Sequence, residues 1–283
     1  MYNSPISKIV LEGREFLVKR DDLVDKYLAG NKFRKLHTLL ETPSNHLKQI
    51  ISYGGTQSNA MLAIAAMCAK KGWQFLYYTK PMSPLHKEDR LSNYGLAKSL
   101  GMEHRELDAS LYRDSIASLS VGLDATSYLL HQGGADEAAQ AGLALLAEEI
   151  QSASLDVQAL ATPSGTGTTA FYLARALREY RVYTTPCVGD VEYLKKQISA
   201  LGEIPKNLVI LEPKKKYHFA KPYREFLAIY KQLCESGIEF DLLYAPAMWQ
   251  ALLEQTEEKI LYIHSGGVSG NTTMLERYKR ANL

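Results

Sequence analysis

Apolar residues along this chain fall into two alternating patterns. Short apolar runs of strand type occur at Ile50-Ile51-Ser52-Tyr53, Phe75-Leu76-Tyr77-Tyr78-Thr79, Val157 to Ala161, Val182-Tyr183-Thr184, Leu208-Val209-Ile210 and Ile260-Leu261-Tyr262-Ile263-His264. Shorter runs at His104 to Leu107 and Tyr128 to Leu130 are of the same kind. Between the runs, helical patterns cover Ser58 to Lys70, Asp89 to Leu100, Asp136 to Ile150, Thr168 to Glu179, Val191 to Leu201, Pro222 to Ser236 and Ala247 to Leu253. Glu137 suits the first turn of its helix. Pro81 to Pro84 reads as a loop. Near the start, Ile9-Val10-Leu11 and Phe16-Leu17-Val18 flank a Glu12-Gly13-Arg14 turn and predict a hairpin. Phe33, Leu36, Leu39 and Leu40 then form a helical stripe, with Gly30 and Asn31 at its start and Asn31 as the expected N-cap.

Strand and helix in alternation predict a doubly wound α/β architecture with parallel strands. Ligands in such folds bind beyond the carboxyl ends of strands. Glycine-marked segments end the predicted strands at Gly54-Gly55, at Ser164-Gly165-Thr166-Gly167 and at Ser265-Gly266-Gly267.

Composition narrows the class. The 283 residues are 46% apolar, enough for one large or two modest domains with a real core. The net charge of +2 is spread over mixed signs, so no nucleic-acid or membrane footprint is expected. The three cysteines, Cys68, Cys187 and Cys234, form no CxxC pair, and a reducing, cytoplasmic setting is the expectation. The N-terminus carries no signal-peptide pattern, no apolar run is long enough to span a bilayer, and the histidines show no metal-ligand spacing.

Lys32 lies in the first turn of the helix that bears the Phe33 stripe. Partial burial and the positive helix end would each lower its pKa, as amine attack on a carbonyl requires. Ser164-Gly165-Thr166-Gly167-Thr168-Thr169 joins a strand to a helix; by itself it is either a structural turn or a phosphate cradle of backbone amides and hydroxyls. It lacks the lysine of a P-loop and the spacing of a dinucleotide fingerprint. Gly54-Gly55-Thr56-Gln57-Ser58-Asn59 opens another helix, either as a capping turn or as a carboxylate pocket.

Taken together, Lys19-Arg20-Asp21-Asp22-Leu23, Gly30-Asn31-Lys32-Phe33-Arg34-Lys35-Leu36, Gly54 to Asn59, Ser164 to Thr169 and His264-Ser265-Gly266-Gly267 resemble a pyridoxal-phosphate (PLP) family. It contains 1-aminocyclopropane-1-carboxylate (ACC) deaminase and D-cysteine desulfhydrase, among the tryptophan-synthase-β-like, fold type II enzymes. The resemblance implies two doubly wound α/β domains with the active site in the cleft between them. The larger would comprise 1–35 and 133–283, and the smaller, inserted one 36–132. It implies that Lys32 carries PLP as an imine and removes the Cα proton. Ser164, Gly165, Thr166, Gly167 and Thr168 would cup the phosphate. Asn59 would meet the ring hydroxyl oxygen, and Ser265 the pyridine nitrogen. A serine there leaves a weaker electron sink than a carboxylate, which suits elimination. Gln57, Ser58, Asn59 and Tyr244 would contact a small amino-acid substrate, with Ser58 and Tyr244 catalytic. No metal site is implied, and a homodimer is.

Two departures bear on the substrate. Ala60-Met61-Leu62 replaces a more polar continuation, and Ala245 follows Tyr244 where ACC deaminase is expected to have glutamate. The expectation is therefore a lyase that eliminates a β-substituent from D-cysteine or a related D-amino acid, giving an α-keto acid, ammonia and sulfide. The alternatives are an ACC deaminase and a PLP-binding protein with little catalysis.

Overall fold

The computed structural model describes residues 3–28, 30–134 and 138–283. The chain opens with the antiparallel hairpin β1 (Ile6–Leu11) and β2 (Arg14–Lys19). Glu12 and Gly13 both have positive φ, as a tight two-residue hairpin turn requires. Next come the short helices α1 (Asn31–Lys35) and α2 (His37–Glu41). They are followed by β3 (Gln49–Tyr53), α3 (Asn59–Lys71), β4 (Gln74–Thr79), α4 (Pro84–Glu88), α5 (Asn93–Ser99), β5 (Met102–Glu106), α6 (Tyr112–Ala117) and β6 (Ser127–Leu129). The second half runs α7 (Ala139–Ser152), β7 (Ala159–Ala161), α8 (Thr168–Ala176), β8 (Arg181–Thr184), α9 (Val191–Ser199) and β9 (Leu208–Ile210). It ends with α10 (Arg224–Glu235), α11 (Ala245–Gln255), β10 (Ile260–Ile263) and α12 (Asn271–Arg280).

Two sheets result. One has six strands in the order β1-β2-β10-β7-β8-β9, parallel from β2 onward; the other has four parallel strands in the order β5-β4-β3-β6. Leu143, Leu146, Phe171, Leu194 and Ile198 from α7, α8 and α9 pack one face of the larger sheet. Leu233, Met248, Trp249 and Leu252 from α10 and α11 pack the other, which is the doubly wound arrangement. The smaller sheet shares its core with α3, buried without interruption from Ala60 to Cys68. That burial is the physical reason for the apolar Ala60-Met61-Leu62.

Some expectations need correction. Asn31 is the first helical residue rather than the cap: Gly30 holds the cap position, with φ 61 and no side-chain hydrogen bond. The helix that follows breaks at Leu36 into α1 and α2. Leu36 and Leu39 are buried, as the stripe predicts, with Phe33 and Leu40 packed against the same core. The start of the helix expected from Asp136, including Glu137, lies outside the described residues. Helices α4, α6 and α12 were not anticipated.

Behind α1 lies a buried ionic cluster. The Arg34 guanidinium donates to both oxygens of Asp21, at 2.8 and 2.9 Å, and to both of Glu149, at 2.6 and 2.9 Å. Lys19 reaches Glu149 at 2.7 Å and the Ser4 carbonyl at 2.6 Å. Burial acts to raise the Glu149 pKa, but hydrogen bonds from Arg34 and Lys19 hold it below the usual range. The cluster ties the hairpin, α1 and α7 together and so fixes the direction of α1.

Candidate active site

The sheet order brings the site together. Strands β2, β10 and β7 are neighbours, and their carboxyl ends lead to the Lys32 segment, the Ser265 turn and the Ser164 loop. The Gly54–Asn59 turn, after β3 of the other sheet, faces them. These segments line a cavity of about 760 Å³ between the two sheets. Every residue singled out from the sequence, from Lys32 through Gln57, Ser58, Asn59 and Ser164–Thr168 to Tyr244 and Ser265, lines it.

Gly30 lets the lysine segment close onto the Ser265 turn. A Cβ at Gly30 would fall 1.9 Å from the Ser265 carbonyl oxygen, which accepts a hydrogen bond from Asn31 N. Lys32 therefore emerges beside Ser265. Burial lowers its pKa from 10.5 to about 8, against an opposing pull from Asp241. The cause is packing, since the five-residue α1 adds little dipole. Lys35 lies one turn on, facing the same cavity, and donates to the Gly133 carbonyl at 3.3 Å. Burial and the neighbouring Lys32 push its pKa well down.

The Ser164 loop ends in α8, whose cap Gly167 has φ 76. A Cβ there would meet Ile198 at 2.3 Å, so only glycine lets the loop sit this low on α9. The Ser164 hydroxyl is committed to Thr184, at 2.6 Å, so what Ser164 offers a ligand is backbone. Thr166 and Thr168 share a hydroxyl contact of 2.9 Å. Buried Thr169 has an unpartnered hydroxyl in the first turn of α8. An unmet donor beside free helix amides suits an anion.

Across the cavity, Ser58 caps α3 by accepting from Met61 N at 3.3 Å. Both polar atoms of the Gln57 amide are buried and unpartnered. Asn59 is held firmly: its Oδ1 accepts from Asn93 Nδ2 at 2.7 Å, which leaves its own NH2 group as a donor. Asn93 also donates to the Gln57 carbonyl and accepts from Ser269. Tyr244 lies beside Gly165 and against Phe219, at 5.3 Å between ring centroids. Burial pushes its phenol pKa up, so it stays protonated and able to donate. The His264 ring accepts from Gly266 N and faces the Glu239 carbonyl at 2.9 Å, which fixes the turn that presents Ser265.

Asp241, Asn93 and Lys35 were missed by the sequence reading, whereas Thr169 belongs to the Ser164–Thr169 loop that it marked. Asp241 is fully buried, and burial raises its pKa to about 6 against the backbone amides of Tyr244 and Leu243 that hold its charge. No sequence signal marked Asn93 or Asp241. Lys35 shares a helical face with Lys32, and that spacing could have flagged it.

The sequence pattern of the family described as "Pyridoxal-phosphate dependent enzyme" matches residues 5–196. A Pyrococcus furiosus protein named "Putative 1-aminocyclopropane-1-carboxylate deaminase" is 28% identical, covering 95% of this chain and 89% of its own length. A Serratia proteamaculans protein named "D-cysteine desulfhydrase" is 25% identical, covering 90% of this chain and 87% of its own. A crystal structure described as an ACC deaminase homologue superposes with a TM-score of 0.74 at 24% identity, covering 98% of this chain and 94% of that one.

Proposed function

The chain belongs to the pyridoxal-phosphate-dependent enzymes, and from that premise we propose that Lys32 holds the cofactor in a lyase that eliminates a β-substituent from D-cysteine or a related D-amino acid. The carrying observation is a cavity whose buried polar atoms go unmet at Thr169 and Gln57 and whose wall also bears a lysine of lowered pKa. The cofactor, when bound, stabilises negative charge at Cα as a proton leaves. Thr169, the α8 amides and Lys35 hold its phosphate, with Ser164 contributing backbone and Thr166, Thr168, Gly165 and Gly167 completing the loop. The NH2 group of Asn59 would donate to the ring oxygen. Ser265, a hydroxyl rather than a carboxylate, serves the ring nitrogen. Gln57 and Ser58 bind the substrate carboxylate at the start of α3. Lys32, its pKa lowered to about 8, takes the Cα proton. Tyr244 gives a proton to the leaving group.

Cleavage of a cyclopropane carbon–carbon bond asks more of the site, and Ala245 supplies no titratable group. A thiolate is already a fair leaving group. Side-by-side kcat/KM values test the choice: more pyruvate and sulfide from D-cysteine than ketobutyrate from ACC is expected, and the reverse order would overturn it. Bound cofactor with no keto acid from any D- or L-amino acid would favour a PLP-binding protein instead.

Residues 36–132 form, on this reading, the smaller domain against the rest of the chain. Among the described residues no helix is long and apolar enough to cross a membrane. The free cysteines Cys68, Cys187 and Cys234 fit a reducing, cytoplasmic setting, and a homodimer is the expected assembly.

A further inference from the structure

The charged side chains that line the cavity, among the described residues, are Lys32, Lys35 and Arg277; no carboxylate joins them. Lys32 and Lys35 are absorbed by the cofactor in the reading above. Arg277 is not. It lies on α12, half-buried, with Thr273 one turn before it on the same cavity-facing side. Its Nη1 donates to the Ala220 carbonyl at 3.1 Å, which uses one of five guanidinium N–H groups. Ala220 itself sits at φ 59, unusual for a residue with a Cβ, so this wall is held in a strained shape where Arg277 meets it.

The position of α12 relative to the rest of the site is fixed. Ser269, just before α12, bonds to Asn93, and Asn93 holds Gln57 and Asn59. The start of α12 therefore abuts the turn that receives the substrate carboxylate. Arg277 comes six residues after Asn271, about 9 Å along the helix at 1.5 Å per residue. Helical side chains lean toward the N-terminus, which brings the guanidinium back toward the reacting centre. Its neighbours on that wall are Phe219, Ala220 and Met274, with Tyr244 behind Phe219.

We infer that Arg277 is a specificity residue that meets the side-chain end of the substrate, so that the enzyme takes small amino acids whose side chain bears, or develops as it departs, a negative charge. This rests on the proposed function and narrows its substrate class. Arginine keeps its charge at every working pH and is weakly hydrated, so a half-buried guanidinium with free donors favours an anionic partner over an amide of equal shape. In the elimination the Cα–H bond releases a proton, and the Cβ–S bond breaks with its electron pair going to sulfur. Hydrosulfide leaves toward the guanidinium, and the three-carbon remainder takes up water to give pyruvate and ammonia. No oxidant or reductant is needed.

Aspartate and asparagine, in both enantiomers, make the test, because they differ in charge and hardly in shape. Binding to the holoenzyme is read from the change in the cofactor's visible spectrum. Aspartate should bind at least about tenfold more tightly than asparagine, the worth of one charge-assisted hydrogen bond. In Arg277→Gln the ratio should fall toward one, and Arg277→Lys should keep part of it. A wild-type ratio near one would overturn the inference. So would a ratio unchanged in Arg277→Gln, even with weaker cofactor binding, since that would make Arg277 a brace for the 219–220 wall or a phosphate ligand. Failure of the broader reading would look different: no amino acid would perturb the spectrum and no keto acid would form.

Discussion

The two sides of α1 present two polar clusters built on opposite terms. Behind the helix, Arg34, Asp21, Glu149 and Lys19 are buried and pair with one another within 3 Å. In front of it, Lys32 and Lys35 face a cavity where the Gln57 amide and the Thr169 hydroxyl have no partner. Both are costly to desolvate. The rear cluster is complete within the chain, so its content is architectural: it fixes the direction of α1. The front cluster is incomplete within the chain, as expected of a site that a ligand completes. Burial alone distinguishes nothing here; satisfaction does.

The largest expected effect lies at the rear. Arg34→Met leaves Asp21 a buried carboxylate with no cation and Glu149 with Lys19 alone, and should cost about 3–5 kcal/mol of stability in urea unfolding of the apo-protein. Lys32→Ala should cost nothing or raise stability, because it removes an amine whose burial disfavours its charge. It should also abolish the visible band of lysine-bound cofactor and lower turnover by about a thousandfold. Equal destabilisation by the two variants would erase the contrast.

Smaller effects separate the front residues from one another. Thr169→Val should leave apo stability unchanged or improved and weaken cofactor binding about tenfold, read by fluorescence titration. Ser164→Ala should do the reverse, since its hydroxyl serves Thr184: a loss of about 1 kcal/mol in stability, with affinity nearly kept. The smallest effect is a shift in pH dependence. On the proposed reading the free Lys32 amine captures cofactor, so the capture rate of apo-protein should rise through about pH 8. The Asp241 carboxylate pulls the Lys32 pKa up, so Asp241→Asn should move that midpoint lower. A midpoint near 10.5, the ordinary lysine value, would show that Lys32 is not desolvated.

What was legible in the sequence is what is contiguous. Gly30–Leu36, Gly54–Asn59, Ser164–Thr169 and His264–Gly267 each carry their chemistry in one stretch, and each ends or follows a strand whose apolar run is plain. The residues that orient them were hidden. Asn93 gains its role by crossing to Gln57, Asn59 and Ser269, and Asp241 by acting through its charge on Lys32, remote in sequence. No local pattern encodes such crossings. Helix α12 escaped notice because it buries only Asn271, Met274 and Tyr278 along its length, too few to set a period. Asn31 looked like a cap because its side chain suits one, but the close approach to Ser265 gave that place to Gly30.

The central claim is that the unsatisfied face of α1 is completed by a cofactor bound to Lys32. Lys35 is the informative competitor: it lines the same cavity one turn away with a depressed pKa, but its amine is engaged by the Gly133 carbonyl. Borohydride reduction of the purified holo-protein, followed by peptide mass mapping, distinguishes them. The account predicts one pyridoxyl-phosphate group per chain, on Lys32. A label on Lys35 or any other lysine, or none at all, would contradict it.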